Sequence, residues 1–408
     1  MSNWEKTTIG NLCDSISDTY KRNDENVVLI NTSDVLEGEV LNHKPVLNQK
    51  LKGQFKKTFR ISDILYSEIR PANKRFAFID FEDTSNYIAS TKLMVLRPRT
   101  SIVLPEFLFA ILKSKNVVDE LQHLAETRSG TFPQITFSSE LAPMEVFIPD
   151  ISTQEQIVSI LKAIEDKIKN NTAINENLEQ QAQAIFKSWF VDFEPFGGIM
   201  PDDWETQVIS DLDVLITDYV ANGSFKSLAQ NVKYQTQETN NVLIRLTDFN
   251  NNFSSDMVYI SDSAYDFLGK SKLYGDEIII SNVGVNVGTV FRCPRLNKRM
   301  SLAPNSIMLR SKSLEHYLYL YFTSPYGQQQ LQSIVTGSAQ PKFNKTNFRS
   351  LKILVPDNKT LLDFNAIYEP VYEMIASNNN QQHHLVTLRD TLLPKLINGE
   401  IDVSEIRV

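Results

Sequence analysis

Few residues in this chain have the spacing of reaction chemistry. Pro149-Asp150 followed by Glu165-Asp166-Lys167 matches, letter for letter, the Pro-Asp and Glu-x-Lys with which many nucleases hold a metal. That chemistry needs its acids side by side on strands. Here Glu165, Asp166 and Lys167 fall between Ile164 and Ile168 of a helical apolar pattern, and the equivalent second-half residues Tyr372, Glu373 and Met374 do not keep the match. No GxxxxGK[ST], HExxH or CxxC occurs, so nucleotide hydrolysis and zinc chemistry lack their usual groups. His43, His123, His316, His383 and His384 offer no ligand spacing. Thr323-Ser324-Pro325-Tyr326 has one proline too few for the tetrad of adenine methyltransferases, and no FxGxG loop precedes it. The expectation is a chain with no catalytic residues and no metal site, one that binds and does not react.

The elements that must position any binding residues come from a duplication. At 408 residues, two to three domains are expected. With Pro149-Asp150 set on Pro356-Asp357, residues 144–149 align with 351–356. Upstream, Asp63 to Ser67 meets Glu277 to Ser281, Leu96-Arg97 meets Leu309-Arg310, and Gly130 to Gln134 meets Gly337 to Pro341. Each half reads as mixed α/β: short strands such as Ile64 to Ser67, then a helix opened by Pro105 in the first half and Leu318 to Val335, interrupted at Ser324-Pro325, in the second.

Each half ends in a connector with a sustained heptad seam. In the first it is Ile157, Leu161, Ile164, Ile168, Asn171, Asn175, Leu178, Ala182, Ile185 and Trp189. The second has Phe364, Tyr368, Val371, Ile375, Asn378, Gln382, Leu385, Arg389, Leu392 and Leu396. In both, the polar interruption sits at the centre, so antiparallel pairing sets Asn171 and Asn175 against Asn378 and Gln382, where the amides satisfy one another. Pro394 predicts a kink or a fresh helical start in the last heptad. Some 40 residues of helix make a rod of about 60 Å, long enough to set a distance.

Charge is unevenly distributed on a chain of net charge −8. From Lys44 to Arg75 nine basic residues face two acids, from Arg292 to Lys312 six face none, and from Asp150 to Glu205 eleven acids face four lysines. The acidic connector is therefore expected to face protein, and the basic stretches to face phosphate. Two cysteines, Cys13 and Cys293, no apolar run of membrane length and no signal-like N-terminus predict a cytoplasmic protein with free thiols.

The segment 181–196, with Phe186-Lys187-Ser188-Trp189-Phe190-Val191-Asp192-Phe193-Glu194-Pro195 at its heart, is similar to the central conserved region of specificity subunits of type I restriction-modification systems. So are residues 149–156 and Leu392-Leu393-Pro394-Lys395-Leu396-Ile397-Asn398-Gly399-Glu400-Ile401. The resemblance covers the whole chain. It implies two tandem α/β target-recognition domains, 1–150 and 195–356, alternating with conserved helices in 151–194 and 357–408 that pair as an antiparallel coiled coil. It further implies a non-catalytic subunit that reads a split site on double-stranded DNA. Two methyltransferase subunits and ATP-dependent restriction subunits would be its partners, with S-adenosylmethionine, ATP and Mg on those partners and no cofactor in this chain. A stand-alone DNA-binding regulator is the alternative.

On that reading Lys56, Lys57 and Arg60 are expected at phosphate, with Arg70, Asn73, Lys74 and Arg75 in the loop after the strand, and Arg128, Thr131 and Gln134 beside them. The second half offers Asn282 and Asn286 in the matching loop, then Lys298, Arg299, Gln340, Lys342 and Lys345.

Overall fold

The computed structural model describes residues 4–49, 53–127, 133–253 and 257–403. The chain divides into two units, Met1–Lys167 with Leu388–Val408, and Ile168–Thr387.

In the first unit an antiparallel sheet runs in the order Cys13–Ile16, Leu93–Pro98, Ile64–Ser67, Phe76–Phe78, with Ile64 opposite Leu96. Its central strands are apolar on both faces because both are covered. Ile64, Tyr66, Met94 and Leu96 point into a core with the helices Pro105–Lys113 and Lys115–Thr127. Leu65, Leu93 and Val95 point to the opposite side, against Val28, Ile30 and Ala89 of a second sheet. That sheet is ordered Val46–Leu47, Asn26–Ile30, Tyr87–Ser90, Phe55–Lys57, and its central pair is parallel. Glu5–Thr8 pairs with Glu145–Ile148, closing the ends of the domain on each other.

The second unit repeats this plan. One sheet is Leu215–Asp218, Ser306–Arg310, Ile278–Ser281, Val290–Arg292. The other is Val258–Tyr259, Asn241–Ile244, Arg299–Leu302, Lys272–Leu273, again with a parallel central pair. Glu205–Val208 pairs with Lys352–Val355. The aligned residues do the same work in each copy. Arg97 forks onto the buried Asp63 at 2.9 and 2.8 Å, and Arg310 reaches the buried Glu277 at 2.6 Å, each tying the last turn of one strand to the start of its neighbour. The helix pair after the sheet breaks at Ser114 in the first unit and at Ser324 in the second.

Ile151–Phe190 and Asn358–Ile397 are helices of 40 residues each. The Pro-Asp dipeptides that precede them are N-caps. Asp150 Oδ1 accepts from Thr153 N at 3.0 Å, and Asp357 Oδ1 accepts from Thr360 N at 3.0 Å. Hydrogen bonds from Thr360 hold the Asp357 carboxyl below its ordinary pKa. Glu165 pairs with Lys113 at 2.5 Å, so the nuclease-like letters are accounted for by a cap and an ion pair.

Within the second unit the helices run antiparallel and the amide layer is formed. Asn378 Nδ2 donates to Asn175 Oδ1 at 2.8 Å, Asn175 Nδ2 donates to Asn379 Oδ1 at 2.8 Å, and Asn171 Nδ2 donates to Gln381 Oε1 at 2.7 Å. Gln382 turns instead to Thr172 Oγ1 at 2.7 Å and Ile168 O at 3.2 Å. Beyond the layer Ala182, Phe186 and Phe190 share a core with Leu361, Phe364, Tyr368 and Tyr372. Within the first unit Ile157 and Leu161 share a core with Leu393, Leu396 and Ile397.

The strict heptad needs correction at its far ends. Ile185, Trp189 and Leu392 are only half-buried, while Phe186, Phe190 and Leu393, each one residue further on, are buried. A straight helix drifts about 20° per heptad, so four heptads amount to nearly the 100° of one residue. No new helix starts at Pro394, which lies inside Asn358–Ile397. The helix ends at Gly399, whose φ of +69° is left-handed and whose missing Cβ would lie 2.7 Å from the Trp4 ring.

Two outcomes follow. Asn175→Ala removes the hydrogen bonds made with the half-buried Asn378 and the exposed Asn379 and lowers the unfolding free energy in urea by about 1 kcal/mol. Cys13 and Cys293 are 1% and 2% exposed, and burial pushes the Cys13 thiol up to about 12, so a thiol reagent at pH 8 labels neither until the protein unfolds.

Candidate nucleic-acid interface

The loop that follows the shared central strand is braced the same way in both units. In the first, Ile64–Ser67 leads into a short turn at Pro71–Asn73, flanked by Arg70 and Lys74 at φ 46° and 51°. Two non-glycine residues in the left-handed region are held there by their surroundings. Arg70 N donates to Pro133 O at 3.0 Å, Ile135 N donates to Glu68 O at 2.8 Å, and Ala72 N donates to Gln122 Oε1 at 3.0 Å. The brace puts the exposed Arg70, Asn73 and Lys74 beside the exposed Gln134.

In the second unit Ile278–Ser281 leads into loop 282–288, where Gly284 and Gly288 take φ of +101° and +93°. Gly284 N donates to Pro341 O at 2.8 Å and Phe343 N to Asn282 O at 3.1 Å, and Val283 bridges Lys342. Asn286, Gln340 and Lys342 emerge together as exposed polar side chains. Asn282 donates its amide to Phe343 O at 3.2 Å and so braces the loop from within.

The remaining predicted residues divide by what already holds them. Lys56 and Arg60 are exposed. Lys57 Nζ donates to Leu93 O at 2.8 Å, and burial lowers its pKa. Lys74 Nζ meets Glu37 at 2.8 Å, and Arg75 Nη1 donates to Ser33 O and Val35 O at 3.2 and 3.3 Å. Lys298 pairs with Glu238 at 2.7 Å, Lys345 with Asp218 at 3.1 Å, and Arg299 with Asp262 while lying over the Tyr265 ring. Arg128 and Thr131 lie outside the described residues.

The basic stretch 292–312 is therefore not the free cationic face its charge count predicts. Five of its six cations, Arg292, Arg299 and Arg310 on strands and Arg295 and Lys298 in the connection between two of them, are held by acids or aromatic rings within the unit. Arg292 lies between the rings of Tyr319 and Tyr372, at 4.4 and 4.2 Å, and donates to His316 Nδ1 at 3.0 Å. Arg295 bridges Asp276 and Glu373, both at 2.7 Å. Burial pushes the nearby Glu315 carboxyl up to about 7 and the His316 imidazole below its ordinary value.

Sequence reasoning missed a basic cavity of about 360 Å³ lined by Lys270, Lys272, Tyr274, Arg310, Lys345 and Arg349. Arg310 stacks over Tyr274, whose ring is 70% exposed. These side chains come from well-separated segments, so no local charge count could have found them. Lys272, Arg310 and Lys345 of this lining are ion-paired with Asp266, Glu277 and Asp218, so what the cavity offers is the exposed face of Tyr274 for a flat group.

The chain matches the family described as the type I restriction modification DNA specificity domain, once over residues 1–180 and again over 201–367. The chain belongs to this family. It is 32% identical to the HindI specificity subunit of Haemophilus influenzae over 98% of this chain and 100% of that one. It is 27% identical to the MjaIX specificity subunit of Methanocaldococcus jannaschii over 74% of this chain and 71% of that one. In fold it resembles the type I restriction-modification S subunit from M. genitalium, with a TM-score of 0.53 and 14% identity over 97% and 96% of the two chains. As in the family match, the specificity domain occurs twice, and the two braced loops are its repeated feature. Nothing in these likenesses favours a stand-alone regulator. No described helix is long and apolar enough to cross a membrane.

The Glu315 site predicts a pH dependence of known sign. Its folded pKa lies above the unfolded value, so its stabilising protonated form is fully present below about 4.5 and lost as pH rises through about 7. His316 acts in the opposite direction, its depressed value costing stability as pH falls below about 6.5. Glu315→Gln therefore gains stability relative to the parent at pH 8 compared with pH 5, read from urea midpoints at the two pH values.

Proposed function

We propose that this chain is the DNA-reading subunit of a type I restriction-modification complex. Each unit reads one half of a split, asymmetric site on double-stranded DNA. The paired helices set the interval and dock two methyltransferase subunits, directing adenine-N6 methylation, or ATP-dependent cleavage when restriction subunits join. The chain itself performs no catalysis, and S-adenosylmethionine, ATP and Mg belong to its partners.

One observation carries this reading. The same braced loop is built twice on the same strand of the same sheet, and its exposed side chains differ: Arg70, Asn73, Lys74 and Gln134 in one copy, Asn286, Gln340 and Lys342 in the other. A shared scaffold with unlike polar tips suits two readers of unlike sequences, because base edges are distinguished by their pattern of donors and acceptors. A rigid loop also loses little entropy on binding.

Mapping methylated adenines in host DNA with and without this gene tests the assignment. The expected result is a two-part motif with a constant gap that vanishes without the gene, and an undivided motif or an unchanged methylation map overturns it. In the assembled complex, Lys56→Gln, at an exposed lysine expected at phosphate, lowers affinity at all sequences and reduces the salt slope by about one phosphate contact. Lys298→Gln, whose ammonium is already held by Glu238, leaves that slope unchanged in the same titration.

A further inference from the structure

The second reading loop ends in an apolar point. Val285 is 92% exposed, more than any other large hydrophobic residue described, and it lies between Gly284 and Asn286. Leaving a β-branched side chain in water is unfavourable. The loop does not yield to cover it. Gly284 N is bound to Pro341 O at 2.8 Å, Val287 N to Gly284 O at 3.1 Å and Gly288 N to Ser281 O at 2.8 Å, so both ends of the tip are fixed. From Val283 to Gly288 the loop carries no charge, so this tip is not a phosphate contact. Around it stand the polar groups of Asn286, Gln340 and Lys342.

A preorganised apolar point within a polar rim fits a surface of matching pattern. On the edges of base pairs in the major groove, the one apolar group is the C5-methyl of thymine. We propose that Val285 is a specificity-determining residue that packs on a thymine methyl in the half-site read by the second unit. The inference rests on the DNA-reading assignment above and narrows it to one base type at one loop. The loop of the first unit, with Pro71, Ala72 and Asn73 between Arg70 and Lys74, carries the smaller exposed Ala72 and no β-branched side chain at its tip.

The test uses the full chain assembled with its methyltransferase subunits on its mapped target duplex, with thymine replaced by uracil in one half-site at a time. Uracil keeps every hydrogen-bonding group and removes only the methyl. For the parent complex, uracil in one half weakens binding about four-fold, the value of one methyl group taken out of water. Val285→Ala weakens binding to the thymine duplex by a similar factor and no longer senses uracil in that half. It still responds as the parent does to changes in the other half, and its thermal unfolding is unchanged. A parent complex indifferent to uracil in both halves overturns the inference, including the case in which Val285→Ala still binds more weakly, which marks a wedge between bases. A Val285→Ala complex that binds like the parent also overturns it. A parent complex with no preferred site overturns the reading assignment itself.

Discussion

An amide buried in an apolar helix seam can be satisfied in one register only, and the second unit is organised around that constraint. Asn175 gives and receives a hydrogen bond across the helix pair at 2.8 Å each way, to Asn379 and from Asn378. Sliding either helix by a turn would set these amides against Ile375 or Leu178 and leave them unpaired at a cost of a few kcal/mol. With that register fixed, Phe186 and Phe190 meet Phe364 and Tyr368, and the aromatic core to which the second recognition domain is attached follows. Leucine at these positions would pack more tightly and would specify less.

The two recognition domains treat charge in one consistent way. Acids buried at strand starts, Asp63 and Glu277, take arginines from the neighbouring strand end and stiffen the sheet behind the reading loop. Further cations are drawn inward in the second unit, where Arg292 and Arg295 join the sheet to the helix through Tyr372, Asp276 and Glu373. Cations held this way are removed from any role at phosphate, since releasing a buried partner costs more than a surface contact returns. What is left for a ligand is a small set of exposed polar tips on a rigid frame.

The duplication, the strands, the long helices and the central amide layer were legible in the sequence, because each rests on local pattern: period two, period seven, Pro-Asp before a helix. The seam failed where local pattern outran geometry, at Ile185, Trp189 and Leu392 and also at Val371, whose neighbour Tyr372 is buried in its place, since a seven-residue repeat written on a straight helix turns away from its partner. Among the candidate contacts, Arg70, Asn73, Lys74 and Gln134 come together because residues 68–70 and 133–135 are joined by backbone hydrogen bonds. Lys57, Arg75, Lys298 and Arg299 are engaged elsewhere, with partners such as Leu93 O, Ser33 O, Glu238 and Asp262 that lie 36, 42, 60 and 37 residues away in sequence.

Residue order alone determined that this protein is two copies of one α/β reader, each followed by a helix whose seam is polar at its centre, because periodicity and repetition are properties of the string. Only the tertiary structure decided which cations remain at the surface and that Lys270, Tyr274, Arg310 and Arg349 share a cavity. The shared cavity and the fate of the cations depend on pairings between distant segments, and the free energy of a charge is set by the neighbours that the fold brings to it.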